Sequence, residues 1–396
     1  MRRRRVRSAA SGAEVLAAAR YGERQGRLGG GAAFAAPSGY NTSVSCPSSR
    51  PEPATNPVLS TVTRSGRVES WHRGSVAVVH DGELALSLGD VGSAIYARSA
   101  VKPLQALPLL ERGVHRRLGM PAEELAVLCA SHDGGEPHVA AVRSFLARGG
   151  LSEAQLGCGP HAPFAKDARL EMLRRGERPL KVHNNCSGKH TGFLYLAREC
   201  GDALADYLDP ASAAQQEVNR AVAEMAGLGA PLPSGLDGCG APTLLLSLQA
   251  LAQAFCSFAN HQRLSAVRAS SCRAILEAVG AAPALLAGEQ RLCTALVRQW
   301  PGRAFAKNGA EGVYVMCLSP DPRRARFPGA VGIAVKADDG AERGYQPVVV
   351  DLLRWMGAFG SDQVPAPLRG FWRMPVANTQ QRRVGEVQSV VAWGQA

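Results

Sequence analysis

The strongest constraint on this chain is where its two kinds of pattern fall. Strand-like sequence lies at both ends of the globular part, and helix-like sequence fills the middle. "SVAVVHDGELALSLGD" (75–90) reads as strand, turn, strand, because an Asp-Gly pair supplies the positive φ angles that a two-residue hairpin needs. "GVYVMCLSP" (312–320) and "GAVGIAVKADDG" (329–340) return to strand character, and "QPVVVDLLRWMGAF" (346–359) predicts a final helix. Between them, "ARSAVKPLQALPLLERG" (97–113) predicts a helix with Pro103 tolerable only near its first turn. "PHVAAVRSFLARGG" (137–150) predicts another, closed by glycines. "SGKHTGFLYLARECG" (187–201) predicts a third, with Ser187 as N-cap and Gly201 as stop. Further helices are predicted over 211–227, 242–259, 262–279 and 291–299. The packing that buries both patterns is an α+β fold, in which one antiparallel sheet built from both chain ends packs against a helical region.

Composition narrows the function classes. The most apolar window, "APTLLLSLQALAQAF" (241–255), carries Gln249 and Gln253 and suits a buried helix. No run reaches the ~18 apolar residues of a membrane span, so no membrane is expected. Ten cysteines without a CxxC pair give no disulfide framework, and a reducing cytoplasm is expected. Half of the net charge of +12 lies in residues 1–56, where nine arginines face Glu14, Glu23 and Glu52. The rest, spread over a large body, is no argument for nucleic-acid binding. Residues 1–55 lack periodic apolar positions and an apolar run after "MRRRRVR". They are expected to be a disordered basic extension, or the result of a start codon placed too early, ahead of one catalytic domain at 56–396.

The lysines are more informative than the total charge. The chain has 39 arginines among its 45 basic residues and six lysines: Lys102, Lys166, Lys181, Lys189, Lys307 and Lys336. A general surface cation here is arginine, so a retained lysine marks a place where an amine able to lose its proton has a use, unless it survives by chance. Ser99 and Lys102 stand at i and i+3, one turn apart, as a nucleophile and its base would; an ordinary helix start reads the same way. In "CASHDGGEPHV" (129–139) Ser131 and His132 end an apolar run, where a pocket rim or a simple cap would lie. In "NNCSGKHTGF" (184–193) Cys186, Lys189 and His190 fall within five positions, and "LDGCGAPT" (236–243) exposes Cys239 beside Asp237. Spacing alone does not make these cysteines a metal motif; a buried cysteine behind a capped helix is then the stronger reading. Lys307, in "AFAKNGAEGVYV" (304–315), begins a Lys-x-Gly beside a strand. Serine acyl-transferring enzymes of the β-lactamase type use that element, with the nucleophile on a Ser-x-x-Lys helix in the same order along the chain.

Taken together, "NPVLSTVTRSGRVESWHRG", "ARSAVKPLQALPLL", "CASHDGGEPHV", "NNCSGKHTGF", "LDGCGAPT", "FAKNGAEGV" and "GIAVKADDG" resemble the asparaginase II family, the rhizobial-type or class 3 L-asparaginases. The resemblance runs from about Asn56 to Val387. It implies a serine-β-lactamase-like fold and hydrolysis of L-asparagine to aspartate and ammonia, by a protein expected to be a cytoplasmic homodimer. By motif, it implies Ser99 as nucleophile with Lys102 as partner, and Ser131 with Lys307 as a second Ser–Lys pair. It implies zinc at Cys186, Lys189 and Cys239, and a substrate site lined by Arg98, His190 and Asp237. The chain departs from the family in residues 1–55 and at Asp133, where a small hydroxyl residue is expected. A glutaminase, and a β-lactamase or penicillin-binding hydrolase, are the nearest rivals; the latter would not need both Cys186 and Cys239. A non-catalytic zinc-stabilised binding protein with a nucleic-acid-binding arm is a rival of another class.

Overall fold

The computed structural model of the protein describes residues 55–395, so the predicted extension lies outside the described residues but for Thr55. The N-terminal end supplies strands β1 (Val58–Arg64), β2 (Arg67–His80) and β3 (Glu83–Leu88). Three short strands follow: β4 (Ala94–Tyr96), β5 (Ser234–Leu236) and β6 (Pro242–Ser247). The C-terminal end supplies β7 (Ala304–Asn308), β8 (Val313–Leu318), β9 (Val331–Ala337), β10 (Arg373–Ala377) and β11 (Arg383–Ser389). The two ends pair into one antiparallel eight-stranded sheet, in the order β10-β11-β1-β2-β9-β8-β7 with β3 beside β2. The α+β architecture expected from the pattern is the one found. Asp81 and Gly82 both take positive φ, 49° and 97°, as the predicted hairpin turn requires.

The long strand β2 holds the sheet together because its second half, Gly74–His80, pairs fully with β9 and is almost wholly buried. Helix Leu248–Ala259 covers that region. Its Leu248, Leu251, Phe255 and Phe258 are fully buried, each contributing roughly 1.5–3 kcal/mol. The helix lies so close to β9 that a Cβ on Gly332 would meet the Ala252 carbonyl oxygen at 2.0 Å. Any side chain there would push the helix off the sheet.

The predicted helix over 242–259 is in fact two elements. Residues 242–247 form β6, between β4 and β5, and the helix starts only at Leu248, where Ser247 Oγ accepts from the Ala250 N–H at 3.1 Å. A short apolar run does not reveal its own period, and two polar residues inside the later helix drew the reading across the boundary. The difference matters for function. β5 and β6 make a hairpin whose turn is Asp237–Ala241, closed by Asp237 N–H to Ala241 O at 2.9 Å, with Gly240 at φ 83°. β4, on the other side of β6, leads directly into Arg98 and Ser99.

Other helices fall where periodicity puts them: Lys102–Glu111, Glu136–Arg148, Ala213–Met225, Ala266–Ala281, Leu292–Val297 and Gln346–Trp355. In helix Ser187–Cys200 the cap is Cys186, not the predicted Ser187, whose hydroxyl is taken up by tertiary bonds. Gly201, at φ 80°, ends it as predicted. No helix among the described residues is long and apolar enough to cross a membrane.

Candidate active site

After β4 the chain makes a 3₁₀ turn, Arg98–Val101, before helix Lys102–Glu111. Arg98 sits at φ 51°, a left-handed conformation that costs a residue with a side chain on the order of 1–3 kcal/mol. A two-point ion pair offsets this: Nε and Nη2 donate to the two oxygens of Asp237 at 3.1 and 3.2 Å. Burial opposes the charge of Asp237, but Arg98 and then Lys189 hold its carboxyl below the usual carboxylate range. The strained turn sets the half-buried Ser99 on the wall of a cavity of about 520 Å³, which Ser131, Cys186, Asp237 and Cys239 also line.

Lys102 is the joint between the motifs. It is 1% exposed, and its Nζ reaches the Ala130 carbonyl, Ser131 Oγ at 3.0 Å and Cys186 Sγ at 3.3 Å. These partners meet because helix Ser187–Cys200 packs tightly on helix Ala122–Leu128; a Cβ on Gly188 would stand 2.1 Å from the Val127 carbonyl oxygen. His132 fixes the same joint. Its Nδ1 accepts from the Gly134 N–H at 3.2 Å, which leaves the ring proton on Nε2 to donate to Ser187 Oγ at 2.9 Å. The hydrogen-bonded Ser–Lys pair is therefore Lys102 with Ser131, rather than Lys102 with Ser99 or Lys307 with Ser131. The i, i+3 spacing keeps Ser99 and Lys102 on one side of the turn, but the lysine amine is taken up by Ala130, Ser131 and Cys186.

Lys307, on β7, is fully buried and donates to the Asn308 carbonyl at 2.7 Å and to Asn308 Oδ1 at 3.1 Å. Burial, and after it the nearby Lys102, pushes its amine down to about 7. The Lys307 amine is therefore able to be neutral, and to take up a proton, near neutral pH.

Cys186, Lys189 and Cys239 come together on one side of the cavity. Lys189 Nζ donates to Cys239 Sγ at 3.2 Å, and Cys186 and Cys239 face each other closely enough to perturb each other's thiols. Cys186 first, and Lys189 with it, together outweigh burial and lower the Cys239 thiol to about 4, while Cys239 and burial push Cys186 up to about 12. Burial works against the charge on Lys189, but Cys239 and Cys186 overcome it and hold the amine above its ordinary range. Among the described residues no three His, Cys, Asp or Glu side chains converge on a metal position. The third donor here is an amine. Two sulfurs and an amine nitrogen gathered at the wall of an open cavity are a donor set that suits a thiophilic divalent ion.

His190, expected to line the substrate site, is fully buried behind the cavity wall. Tyr207 OH accepts from the Gly157 N–H at 2.6 Å, so its own proton goes to His190 Nδ1 at 2.7 Å. The proton of His190 is then on Nε2, a buried atom without a partner among the described residues. Burial, then Lys189, keeps the ring neutral.

Several cavity residues carried no signal in the sequence. Asn184 and Asn185 were inside a quoted motif without a role, and Asn308 followed Lys307. Arg291, Glu342 and Tyr345 had no pattern at all, since an arginine is unremarkable in a chain with 39. Asp133 packs on Gly288, where a Cβ would meet its Oδ2 at 2.0 Å.

Solved structures with some likeness include Mglu in its native form, at 15% identity and TM-score 0.38, covering 72% of this chain and 63% of that one. A probable glutaminase from Bacillus subtilis complexed with 6-diazo-5-oxo-L-norleucine gives 13% and 0.34, covering 72% and 83%. A β-lactamase from Sphaerobacter thermophilus gives 15% and 0.39, covering 72% and 92%. These likenesses are too slight to assign anything. No curated protein matches the chain. The sequence match to a family is of a different order: residues 60–389, which include every motif of the resemblance but for Asn56–Leu59 of the first, match L-asparaginase II. The chain belongs to the L-asparaginase II family, and is an amidohydrolase of the asparaginase type.

Proposed function

We propose that the protein hydrolyses the side-chain amide of L-asparagine to L-aspartate and ammonia through a serine nucleophile. The observation that carries this reading is Ser99 and Ser131 on the wall of one cavity with two buried amines outside its lining, Lys102 bonded to Ser131 and Lys307 lowered to about 7. Arg98 and Asp237 offer a cation and an anion side by side for the carboxylate and ammonium of a free amino acid. Ser99 Oγ attacks the amide carbon, and its proton enters the basic group made by the Lys102–Ser131 pair and, separately, Lys307. The same group returns a proton to the departing nitrogen, which leaves as ammonia. Water then opens the aspartyl ester, gives up its proton to the group, and frees Ser99. Release of ammonia from asparagine, against glutamine and opening of a penicillin, tests the reading. Faster turnover of either rival substrate would replace it.

Cys186, Lys189 and Cys239 would hold a zinc ion, which when bound supplies a Lewis-acidic contact for substrate or water. The bound state needs Lys189 to lose a proton, so metal uptake should release acid. With two thiolates the ion's charge is cancelled, and the site is expected to position substrate more than to drive chemistry. Cys186→Ala should lose the metal and raise KM more than it lowers kcat. Less than about a tenth of an equivalent of zinc in chelator-free protein supplied with zinc would rule the site out.

A further inference from the structure

The cavity carries a second guanidinium–carboxylate pair besides Arg98 with Asp237. Arg291 Nη2 donates to Glu342 Oε1 at 3.3 Å, and both residues line the cavity wall. The two arginines differ in what they leave free. Arg98 commits Nε and Nη2 to Asp237. Arg291 makes one side-chain hydrogen bond among the described residues, and the other oxygen of Glu342 accepts from Gln346 Nε2 at 3.0 Å. Most of the Arg291 fork is thus uncommitted. The reacting groups are tied to both pairs: Ser99 follows Arg98 in the 3₁₀ turn, while the Ser131 N–H donates at 3.1 Å to Leu286 O, in the segment that leads to Arg291. A cavity of about 520 Å³ is also larger than the amide of one small amino acid needs, since sites of roughly 300–1,000 Å³ hold drug-sized ligands.

An amide has an acyl side and an amine side. With the acyl side at Arg98 and Asp237, a second open guanidinium is suited to an anionic group on the amine side. From this juxtaposition we infer a further activity: hydrolysis of β-aspartyl dipeptides, in which the amide nitrogen of the asparagine side chain belongs to a second amino acid whose carboxylate meets Arg291. This inference rests on the amidohydrolase reading above. The bonds are those of the simpler reaction. Ser99 Oγ bonds to the β-carbonyl carbon, the C–N bond breaks, and the nitrogen leaves as the free amine of the second amino acid with the proton from Ser99. One water then splits the ester into aspartate and Ser99. No oxidant or further reactant is needed.

The test compares three substrates with the full chain: asparagine, β-aspartyl-glycine, and N4-methylasparagine, whose amine side lacks a carboxylate. β-Aspartyl-glycine is expected to exceed N4-methylasparagine in kcat/KM by at least about tenfold, the discrimination a paired polar group confers. Arg291→Gln should erase that ratio. Glu342→Gln, which frees the remaining N–H groups of Arg291, should raise it, and keeps the test available if the first variant does not fold. Turnover of asparagine without turnover of β-aspartyl-glycine, or a ratio indifferent to both substitutions, would overturn the inference and leave the asparaginase reading standing. No turnover of any of the three would overturn both.

Discussion

Ser99→Ala is expected to lower asparagine turnover by at least about a thousandfold, because the loss of a covalent nucleophile leaves only binding and polarisation behind. Ser99 is half-buried on the cavity wall, and Lys102 spends its hydrogen bonds on Ala130, Ser131 and Cys186. Removing one hydroxyl there should change stability by less than about 0.5 kcal/mol, as for other substitutions that break no buried contact. Circular dichroism and melting should match the unaltered protein. The contrast with Ser131→Ala is informative. Ser131 Oγ is a hydrogen-bond partner of Lys102, so its loss should slow the proton steps and leave Ser99 able to react.

Lys307→Arg should cost about a hundredfold or more in kcat, the scale on which a positioned acid–base group contributes. It keeps the charge but removes the function, since arginine does not give up its proton and its planar fork is larger than an amine. The site of Lys307 is also fully buried beside a second lysine, so a permanent cation there is doubly unfavourable. The same residue sets the expected pH dependence. Burial lowers the folded-state value to about 7, so Lys307 is protonated below that pH and neutral above it. Activity should therefore rise with pH through a limb near 7 and fall away in acid. A rate that ignores pH between 6 and 8, or an arginine variant of nearly full activity, would make Lys307 a structural cation.

The legible parts of the fold were those with a local cause. The Asp81-Gly82 turn announces itself because few residues accept two positive φ angles in succession. The helices showed through their period and their glycine stops, as at Gly201. Strand β6 was hidden because "PTLLLS" has no period of its own, its hairpin partner β5 is only three residues long, and its other partner, Ile95 in β4, lies far off in sequence. Hairpin β10–β11 was missed because β10 is a half-exposed edge strand that carries Pro375, and its inner neighbour β11 is only partly buried and is interrupted by Gly385. The site divides in the same way. Each motif was visible singly, and the scarcity of lysine marked Lys102, Lys189 and Lys307. What joins them was not visible. The bond from Lys102 to Ser131 and the fork from Arg98 to Asp237 span gaps that only tertiary packing closes. Position i+3 pointed Lys102 at Ser99, and partners brought in by packing, Ala130, Ser131 and Cys186, engage its amine instead.

The central claim is that Ser99 carries the aspartyl group between amide cleavage and ester hydrolysis. Acid quenching during turnover of asparagine, followed by digestion and mass spectrometry, reads this directly. The account predicts an aspartyl ester on the peptide containing Ser99. The same adduct on the peptide of Ser131 or Cys239 instead would contradict it.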